Sequence, residues 1–518
     1  MMLSLKPRIL ASIKPRNISR AARLLYSTEA TIGSQNQYNL TCGLEIHAQL
    51  QTKQKLFSTS NNIFNSPPNS QVSYYDAALP GTQPILNTKN VYLALKAAVA
   101  LDCKVSDSFT FDRKHYFYGD QPAGYQITQH FEPYAQDGIL ELFPRDGVKK
   151  PVKIRIKQIQ IEQDTGKSTY IDDTANIDLN RTNTCLIELV TEPDIPDPET
   201  AGIFVKKLQM LLRHLQVCSG ELESGAMRVD VNVSVNYGQR CEIKNLSSTS
   251  AIVHAIKAEF KRQKKDLQNG KKIESETRGW DGKNTWKLRG KEEGVDYRYM
   301  PDPEVLPVDL EPGLVDVVRQ TLPELPDEIF KNLLVAPYSV PLKDARSLMA
   351  TDGGVDYYKA VFDYVKERGG KTKTVSNWIV HNLLGELNVQ DKKFDPSIIC
   401  VKNIGDIIVK ISDGSITTAS GKLIFKHYLH NEGEQQSVEE LIEQFDLGKA
   451  ESGTDGVQEA ITSLCQEVID KFPDITESIK SGKKPKSIQF LIGNVMRGCQ
   501  GRVDPKTIEE VLKSLINK

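Results

Sequence analysis

The sequence predicts an α+β fold, in which an antiparallel-sheet domain is followed by an all-helical region. From about residue 38 to 308, apolar and polar residues alternate with period two, and turn residues separate the runs. Farther along the chain, apolar residues recur at helical spacing without a comparable strand signal. Between these regions lies a proline cluster that neither a helix nor a central strand tolerates, formed by Pro301, Pro303, Pro307, Pro312, Pro323 and Pro326.

Length and charge limit the possible functions. The chain has 518 residues, which at roughly 150 residues per domain suggests about three domains. Lys and Arg total 66 against 67 Asp and Glu, so the net charge of −1 excludes a chain held on nucleic acid by bulk positive charge. The eight cysteines include no C-x-x-C pair, which favours reduced structural thiols over a zinc cage or a disulfide scaffold. The sequence contains no run of ~18 apolar residues, so no membrane span is predicted.

The N-terminus has the composition of a targeting segment. Residues 1–28 contain six basic residues, four serines and no acid. This pattern is typical of a mitochondrial transit peptide, and a disordered basic tail is the alternative. We therefore expect a mitochondrial matrix protein.

The first predicted strand that carries candidate functional residues spans residues 44–50, LEIHAQL. Period-two geometry sends Glu45 and His47 to one face, while the intervening apolar residues face a core. A carboxylate beside an imidazole is a candidate functional pair, and a solvated strand face is the alternative.

A second strand, at residues 159–163, leads into the sequence DTGKS. Its alternation places Glu162 and Asp164 on one face, and a change of parity upstream predicts a bulge or bend near residues 157–158. The tripeptide at 166–168 is not a Walker A loop, because Ile161 stands where that motif requires glycine. What remains is two carboxylates at a strand end, followed by Lys167 and Ser168, which can reach a phosphate.

The third segment, residues 227–235, alternates perfectly and is also predicted as a strand. Arg228, Asp230, Asn232 and Ser234 share its polar face, a set that indicates polar recognition, with a solvated sheet face as the alternative. A neighbouring strand is predicted at residues 241–245.

Two stretches interleave aromatic and basic residues, FDRKHYFY at 111–118 and DYRY at 296–299. Such stretches can stack on bases and neutralise phosphate, although edge strands often have the same composition. No G-x-S-x-G segment and no glycine- and serine-rich amidase segment is present, so no catalytic serine or thiol is predicted.

Helices account for the remaining predicted elements. Residues 200–216 and 250–267 are the clearest helices of the sheet domain, and the C-terminal third predicts helices at 357–365, 376–387, 438–445 and 457–472. The last stretch, 480–518, combines an apolar helical run at 488–496 with scattered basic residues.

Taken in order, these motifs resemble those of the B subunits of tRNA-dependent amidotransferases. The matching segments also include LPGTQP at 79–84, GYQI at 124–127, EPDI at 192–195 and FLIGNVMRG at 490–498. The resemblance implies four regions: a transit peptide at 1–28, a catalytic cradle domain at 29–308, a helical linker at 309–370 and a helical YqeY-like tail at 371–518.

The resemblance also implies the activity. In this family the B subunit uses ATP and Mg²⁺ to activate the γ-carboxylate of glutamyl-tRNA(Gln). A separate amidase A subunit hydrolyses glutamine and supplies ammonia, and a small third subunit, of C type or fungal F type, completes a heterotrimer. The missing nucleophile in this chain agrees with that division of labour. Asp-tRNA(Asn) as substrate and a non-catalytic tRNA-binding scaffold are the alternatives.

Roles follow for the singled-out residues. We expect Glu45, His47, Glu162 and Asp164 as metal ligands, directly or through water. Lys167, Ser168 and Lys244 are expected to contact ATP. Arg228, Asp230 and Asn232 are expected at the reacting groups, with Asp230 taking a proton from ammonia. Contacts to tRNA phosphates are expected from the tail residues Lys483, Lys484, Lys486, Arg497 and Arg502.

One position departs from the family pattern. Members commonly carry two consecutive acids before the Asp-x-Gly-Lys-Ser stretch, whereas Glu162 is followed here by Gln163. If the second acid is the family's metal ligand, this chain must use a neutral amide, a water, Glu162 or Asp164 instead.

Overall fold

The structure is a computed structural model that describes residues 38–290, 296–431, 436–448, 455–480, 487–498, 503 and 505–516. The predicted transit peptide at 1–28 lies outside the described residues. Strands predominate up to residue 309 and helices thereafter, which confirms the predicted α+β class.

Sixteen strands occur in the described part of the chain. They are β1 (Leu40–Gln49), β2 (Lys104–Val105), β3 (Ser108–Phe109), β4 (Asp112–His115), β5 (Tyr125–Thr128), β6 (Ala135–Leu142), β7 (Val152–Gln163), β8 (Lys167–Ile171), β9 (Thr174–Asp178), β10 (Cys185–Thr191), β11 (Met227–Val235), β12 (Cys241–Ile243), β13 (Glu276–Trp280), β14 (Thr285–Gly290), β15 (Met300–Pro301) and β16 (Val308–Asp309).

The same residues contain fifteen α-helices and three short helices of other types. The α-helices are α1 (Thr88–Ala100), α2 (Pro198–His214), α3 (Thr249–Gln268), α4 (Leu314–Thr321), α5 (Pro326–Leu334), α6 (Leu342–Ala350), α7 (Gly354–Glu367), α8 (Gly385–Val389), α9 (Val401–Ser412), α10 (Thr418–His430), α11 (Val438–Gln444), α12 (Asp455–Lys471), α13 (Pro473–Lys480), α14 (Ile488–Gly498) and α15 (Pro505–Ile516). The others are 3₁₀-helices at Pro144–Asp146 and Thr372–Thr374 and a π-helix at Asn377–Leu384.

A large mixed sheet organises the N-terminal part. Among the described residues its nine strands run in the order β14-β13-β12-β11-β1-β10-β7-β6-β2. All neighbours are antiparallel except β12 and β13, which are parallel. Leu44, Ile46 and Ala48 of β1 are each 1% exposed, so the predicted alternation does place one face in the core.

Helices α1, α2 and α3 pack against that apolar face and close the first hydrophobic core. Helix α2 begins after Asp197, whose side chain accepts a hydrogen bond from Thr200 N at 2.8 Å. Helix α3 begins after Ser248, which caps Ala251 N in the same way. The opposite face of the sheet is thereby left for polar side chains.

The predicted bulge in β7 is confirmed. Val190 of β10 pairs with Gln158, and Thr191 pairs with Ile156, so Lys157 is the extra residue. The insertion changes the parity of β7, which allows isoleucines on both sides of the bulge to be buried.

Three hydrophobic cores lie in the described residues, and the predicted domain boundaries at residues 308 and 370 stay predictions. Val318 of α4 is buried in the first core, so that core continues past the proline cluster. A second core runs from Phe330 to Leu447 and spans residue 370 without a break. A third core, between residues 461 and 516, joins α12, α14 and α15. Contrary to expectation, Pro301 lies in strand β15 and Pro326 begins helix α5, and the short amphipathic helix α4 packs back onto the sheet domain.

In the part of the chain that the structure describes, no helix is both long enough and apolar enough to cross a bilayer.

Candidate active site

Four neighbouring strands place polar residues in one row on the sheet face opposite the helices. Arg228 of β11 lies opposite His47 of β1, His47 lies opposite Glu188 of β10, and Glu188 lies opposite Gln160 of β7. One step along, Asp230 lies opposite Glu45. The row exists because antiparallel neighbours in register present the same face at the same height.

Two groups of potential metal ligands overlap at His47. Glu45, His47 and Asp230 form one, and His47, Glu162 and Glu188 form the other, each with its ligand atoms within 4.8 Å of one another. The Nε2 atom of His47 is 3.7 Å from Glu188 Oε2 and 4.0 Å from Glu45 Oε1. We call these five residues the acid cluster. Three of the four predicted metal ligands, Glu45, His47 and Glu162, belong to it.

Burial and like charge perturb the titration of the cluster. Burial, followed by the nearby Glu188 carboxylate, raises the pKa of Glu45 to about 7. Burial alone would lower the pKa of His47, but the neighbouring Glu188 outweighs it and raises that pKa to about 9. Burial alone would raise the pKa of Glu188, but the His47 imidazolium lowers it to about 2. His47 and Glu188 therefore form an ion pair at neutral pH.

Lys114 contributes a positive charge from outside the main sheet. It lies on β4, which pairs with β5 and β15 in a separate small sheet. Burial alone would lower the pKa of Lys114, but the Glu162 and Glu188 carboxylates raise it above its usual value. The charge of Lys114 therefore acts on the acid cluster, a placement that the sequence did not indicate.

Lys244 balances charge at the other end of the acid cluster. Its Nζ atom is 2.7 Å from Asp230 Oδ2 and 3.2 Å from Glu242 Oε1. Lys244, the predicted ATP contact, thus lies beside Asp230, and its charge is shared between two carboxylates.

Glu162 belongs to the acid cluster, whereas Gln163, the residue that departs from the family pattern, does not. Glu162 accepts hydrogen bonds from Thr128 Oγ1 at 2.7 Å and from Gln126 Nε2 at 2.6 Å. The Gln163 side chain instead accepts from Ile127 N at 2.7 Å, beneath the small sheet. The neutral amide therefore has an internal partner and contributes no atom to the acid cluster.

Asp164 lies outside the acid cluster, contrary to its expected role as a metal ligand. Its carboxylate accepts from Arg228 Nη2 at 2.9 Å and from Gln49 Nε2 at 2.9 Å, and Arg181 Nε lies 3.5 Å away. Two guanidinium groups already compensate the charge of this 1% exposed residue. Its observed position is that of an anchor for Arg228.

The remaining predicted site residues of the N-terminal part lie on two different elements, the β8–β9 hairpin and strand β11. Lys167 and Ser168 open the two-stranded β8–β9 hairpin, where Lys167 is exposed and the Ser168 hydroxyl donates to Asp120 Oδ2 at 3.0 Å. Asn232 is half-buried on β11 opposite Gly43. Asn232 therefore shares the sheet face of Asp230, whereas the hairpin is a separate element.

The predicted tRNA contacts of the tail are largely outside the described residues. Lys483, Lys484, Lys486 and Arg502 lie there, and Arg497 is in α14 without a described side chain.

Glu188 is the residue that sequence reasoning missed. It stands in the run CLIELVT, which reads as a continuous buried strand without polar alternation. The available signal was the lone carboxylate itself, because an ionisable group inside an apolar strand requires a partner.

Comparison with known proteins places the chain in a family. The sequence model described as the GatB/GatE catalytic domain matches residues 40–316, more than half of the chain. The chain belongs to this family. A second model, described as a GatB domain, matches residues 360–516 and covers the helical region.

Curated relatives agree along nearly the whole length. The mitochondrial B subunit of glutamyl-tRNA(Gln) amidotransferase from Scheffersomyces stipitis is 45% identical, covering 96% of this chain and 100% of its own length. Proteins of the same name from Debaryomyces hansenii and Yarrowia lipolytica are each 44% identical, covering 95% and 96% of this chain and 98% of their own lengths.

Proposed function

We propose that this chain is the component of a mitochondrial glutamyl-tRNA(Gln) amidotransferase that activates the glutamyl γ-carboxylate with ATP. Family membership and the names of the relatives support the activity and the mitochondrial location. The observation that carries the site is the convergence of Glu45, His47, Glu162 and Glu188 on one sheet face beside Lys114.

The reaction follows from what the site has to achieve. A γ-carboxylate oxygen attacks the γ-phosphorus of ATP, the bond to the bridging oxygen breaks, and ADP leaves. Ammonia then attacks the acyl carbon, loses a proton and expels inorganic phosphate, which gives glutaminyl-tRNA(Gln). Such transfers depend on positioning and charge neutralisation rather than on a protein nucleophile, and the sequence offers no such nucleophile.

The acid cluster suits a divalent cation. Its carboxylates surround a single imidazole, and oxygen-rich sites favour Mg²⁺, with His47 more suited to hold a water molecule. Glu45, Glu162 and Glu188 would hold the ion. When bound, it would neutralise phosphate oxygens during transfer.

Side chains flanking the acid cluster would orient the substrates. Lys114 would attract the phosphates or the γ-carboxylate, and Arg228, held by Asp164, presents a guanidinium at the edge of the same face. Asp230, beside Asn232, can accept the proton from ammonia once Lys244 releases it. Lys167 and Ser168, at the start of the β8–β9 hairpin, are proposed to contact the ATP phosphates.

Partners would supply what this chain lacks. An amidase A subunit would hydrolyse glutamine and deliver ammonia, and a small third subunit, of C type or fungal F type, would complete the heterotrimer. In the tail, Lys483, Lys484, Lys486, Arg497 and Arg502 are proposed to contact tRNA phosphates. Replacing the three lysines with Gln would then weaken tRNA binding and flatten its salt dependence, whereas unchanged binding would contradict the assignment.

The direct test is conversion of radiolabelled glutamyl-tRNA(Gln) by the reconstituted complex with ATP, Mg²⁺ and free ammonium. Free ammonium bypasses the glutaminase, so the assay isolates activation on this chain. We expect Glu45→Ala and His47→Ala to lose at least ~100-fold in rate while tRNA binding persists. Glu141→Ala, at an exposed position on β6, is the matched control and should retain full activity.

Full activity of both cluster variants would remove the site from this face and favour a scaffold that only presents tRNA. Comparable conversion of aspartyl-tRNA(Asn) would widen the substrate assignment.

A further inference from the structure

A row of aromatic rings runs beside the acid cluster. Neighbouring ring centroids along it are separated by 5.7, 6.2, 6.0, 3.7 and 5.0 Å. We call it the aromatic row, and its members in spatial order are Tyr118, Tyr116, Tyr297, Tyr299, His130 and Phe131.

The aromatic row reaches the acid cluster through two contacts. The Tyr116 hydroxyl donates to Gln126 Oε1 at 3.3 Å, and Gln126 Nε2 donates in turn to Glu162 Oε1 at 2.6 Å. The Lys114 ammonium, which faces Glu162, lies 5.1 Å from the ring centroid of Tyr297. One side chain therefore separates the rings from the carboxylates.

The far end of the row is exposed but firmly held. The Phe131 side chain is 56% exposed. The backbone amides of His130 and Phe131 both donate to Asp112 Oδ2, at 2.7 and 2.9 Å, and the His130 ring stacks on Tyr299 with an interplanar angle of 8°. Exposed apolar faces that are held in a fixed orientation are typical of a binding surface.

We propose that the aromatic row stacks the terminal nucleoside of the tRNA acceptor end while the aminoacyl group enters the acid cluster. This inference rests on the proposed function and adds the position of the acceptor end. The glutamyl chain spans only four C–C bonds from ester carbon to γ-carboxyl carbon, about 5 Å. The terminal ribose must therefore lie close to the acid cluster, and its base must lie against whatever surface borders it. The aromatic row is such a surface.

Because the aromatic row is exposed, its ligand is the tRNA end and not the adenine of ATP. Small ligands occupy concave sites that bury most of their surface. Single-stranded nucleic-acid ends are instead held on exposed aromatic platforms, with cations beside them for the phosphates. Tyr118 and Phe131 are both 56% exposed, and Lys114 supplies the cation.

The test uses the reconstituted complex and a tRNA(Gln) transcript whose terminal adenine is replaced by fluorescent 2-aminopurine. Stacking on the row should quench the fluorescence on binding. In Tyr297→Ala, next to Lys114, and in Tyr299→Ala, at the adjacent ring, the quench should diminish, and KM for glutamyl-tRNA(Gln) in the ammonium assay should rise roughly tenfold with KM for ATP unchanged. Tyr297→Phe keeps the ring and should retain both wild-type values. Tyr237→Ala, at an 81% exposed ring beyond the far end of β11, is the matched control and should change neither.

Three results would overturn the inference. A rise in KM for ATP alone would assign the row to the ATP adenine. Unchanged quench and unchanged KM in both alanine variants would leave the row without a ligand, as would the absence of a quench in the wild type. The fluorescence requires no chemistry, so it reports on the row even if the wild type fails to amidate, which would contradict only the proposed function.

Discussion

Glu162 and Gln163 show how much a single register position decides. Sequence alternation identified Glu45 and His47, each of which lies between two apolar residues, and it placed Glu162 on the face opposite that of Ile161. It could not reveal that Gln163 turns inward to Ile127 N, or that Glu188 completes the site, because both depend on strands that pair across long sequence distances. For the same reason the sequence did not show that Asp164 contacts Arg228, 64 residues away, and its role as a metal ligand stays a prediction.

Substitutions at Glu162 and at Gln163 should have very different effects on the amidation rate. Glu162→Gln removes a carboxylate from the acid cluster and should lower ammonium-dependent amidation by ~100-fold or more, since metal ligands matter more than their supports. Gln163→Glu restores the common family pattern, yet it should stay within about threefold of wild type, because that side chain faces Ile127 N. Initial rates at saturating ATP check both, and a Gln163→Glu enzyme that gains strongly in rate would contradict the assignment.

At the level of elements, most strands and helices were predictable and their order in the sheet was not. The alternating runs became β1 and β11, and the predicted bulge in β7 was found at Lys157. Local periodicity contains this information. The placement of β1 between β10 and β11 depends on pairing partners more than 130 residues away, which no local pattern encodes.

The buried carboxylate of Glu259 links helix α3 to the edge of the sheet. Glu259 is fully buried and accepts hydrogen bonds from Arg262, from Gln263 at 2.8 Å and from Thr285 at 2.6 Å. Arg278 of β13 adds an ion pair at 3.2 Å. Burial alone would raise the pKa of Glu259, but the bonds from Arg262 and its neighbours lower it to about 2.

This carboxylate should make the stability of the sheet domain acid-sensitive. A depressed folded-state pKa contributes stability above the unfolded value of about 4.5, and the contribution is lost as pH falls toward 2. The displacement corresponds to about 3 kcal/mol. Glu259→Gln should be destabilised by a similar amount at pH 7 and lose less stability than wild type between pH 5 and 3. Chemical denaturation at several pH values measures this, and parallel pH curves would contradict it.

Across the whole molecule, the candidate site and the helical cores occupy different parts of the sequence. The sheet face opposite the helices gathers carboxylates and cations, the helical cores follow in sequence, and no nucleophile for glutamine hydrolysis was found in the sequence. The division into sheet and helices was predictable from the periodicity of the apolar residues. The core boundaries were not, since α4 packs backward across the proline cluster.

The central claim, phosphorylation of the γ-carboxylate on this chain, can be tested by oxygen transfer. Glutamyl-tRNA(Gln) labelled with ¹⁸O in the γ-carboxylate is incubated with the complex, ATP, Mg²⁺ and ammonium, and the released phosphate is analysed by mass spectrometry. The account predicts one carboxylate oxygen in phosphate for each glutaminyl-tRNA formed, and loss of this transfer in Glu188→Gln with tRNA binding retained. Amidation without label in phosphate, or undiminished transfer in Glu188→Gln, would contradict it.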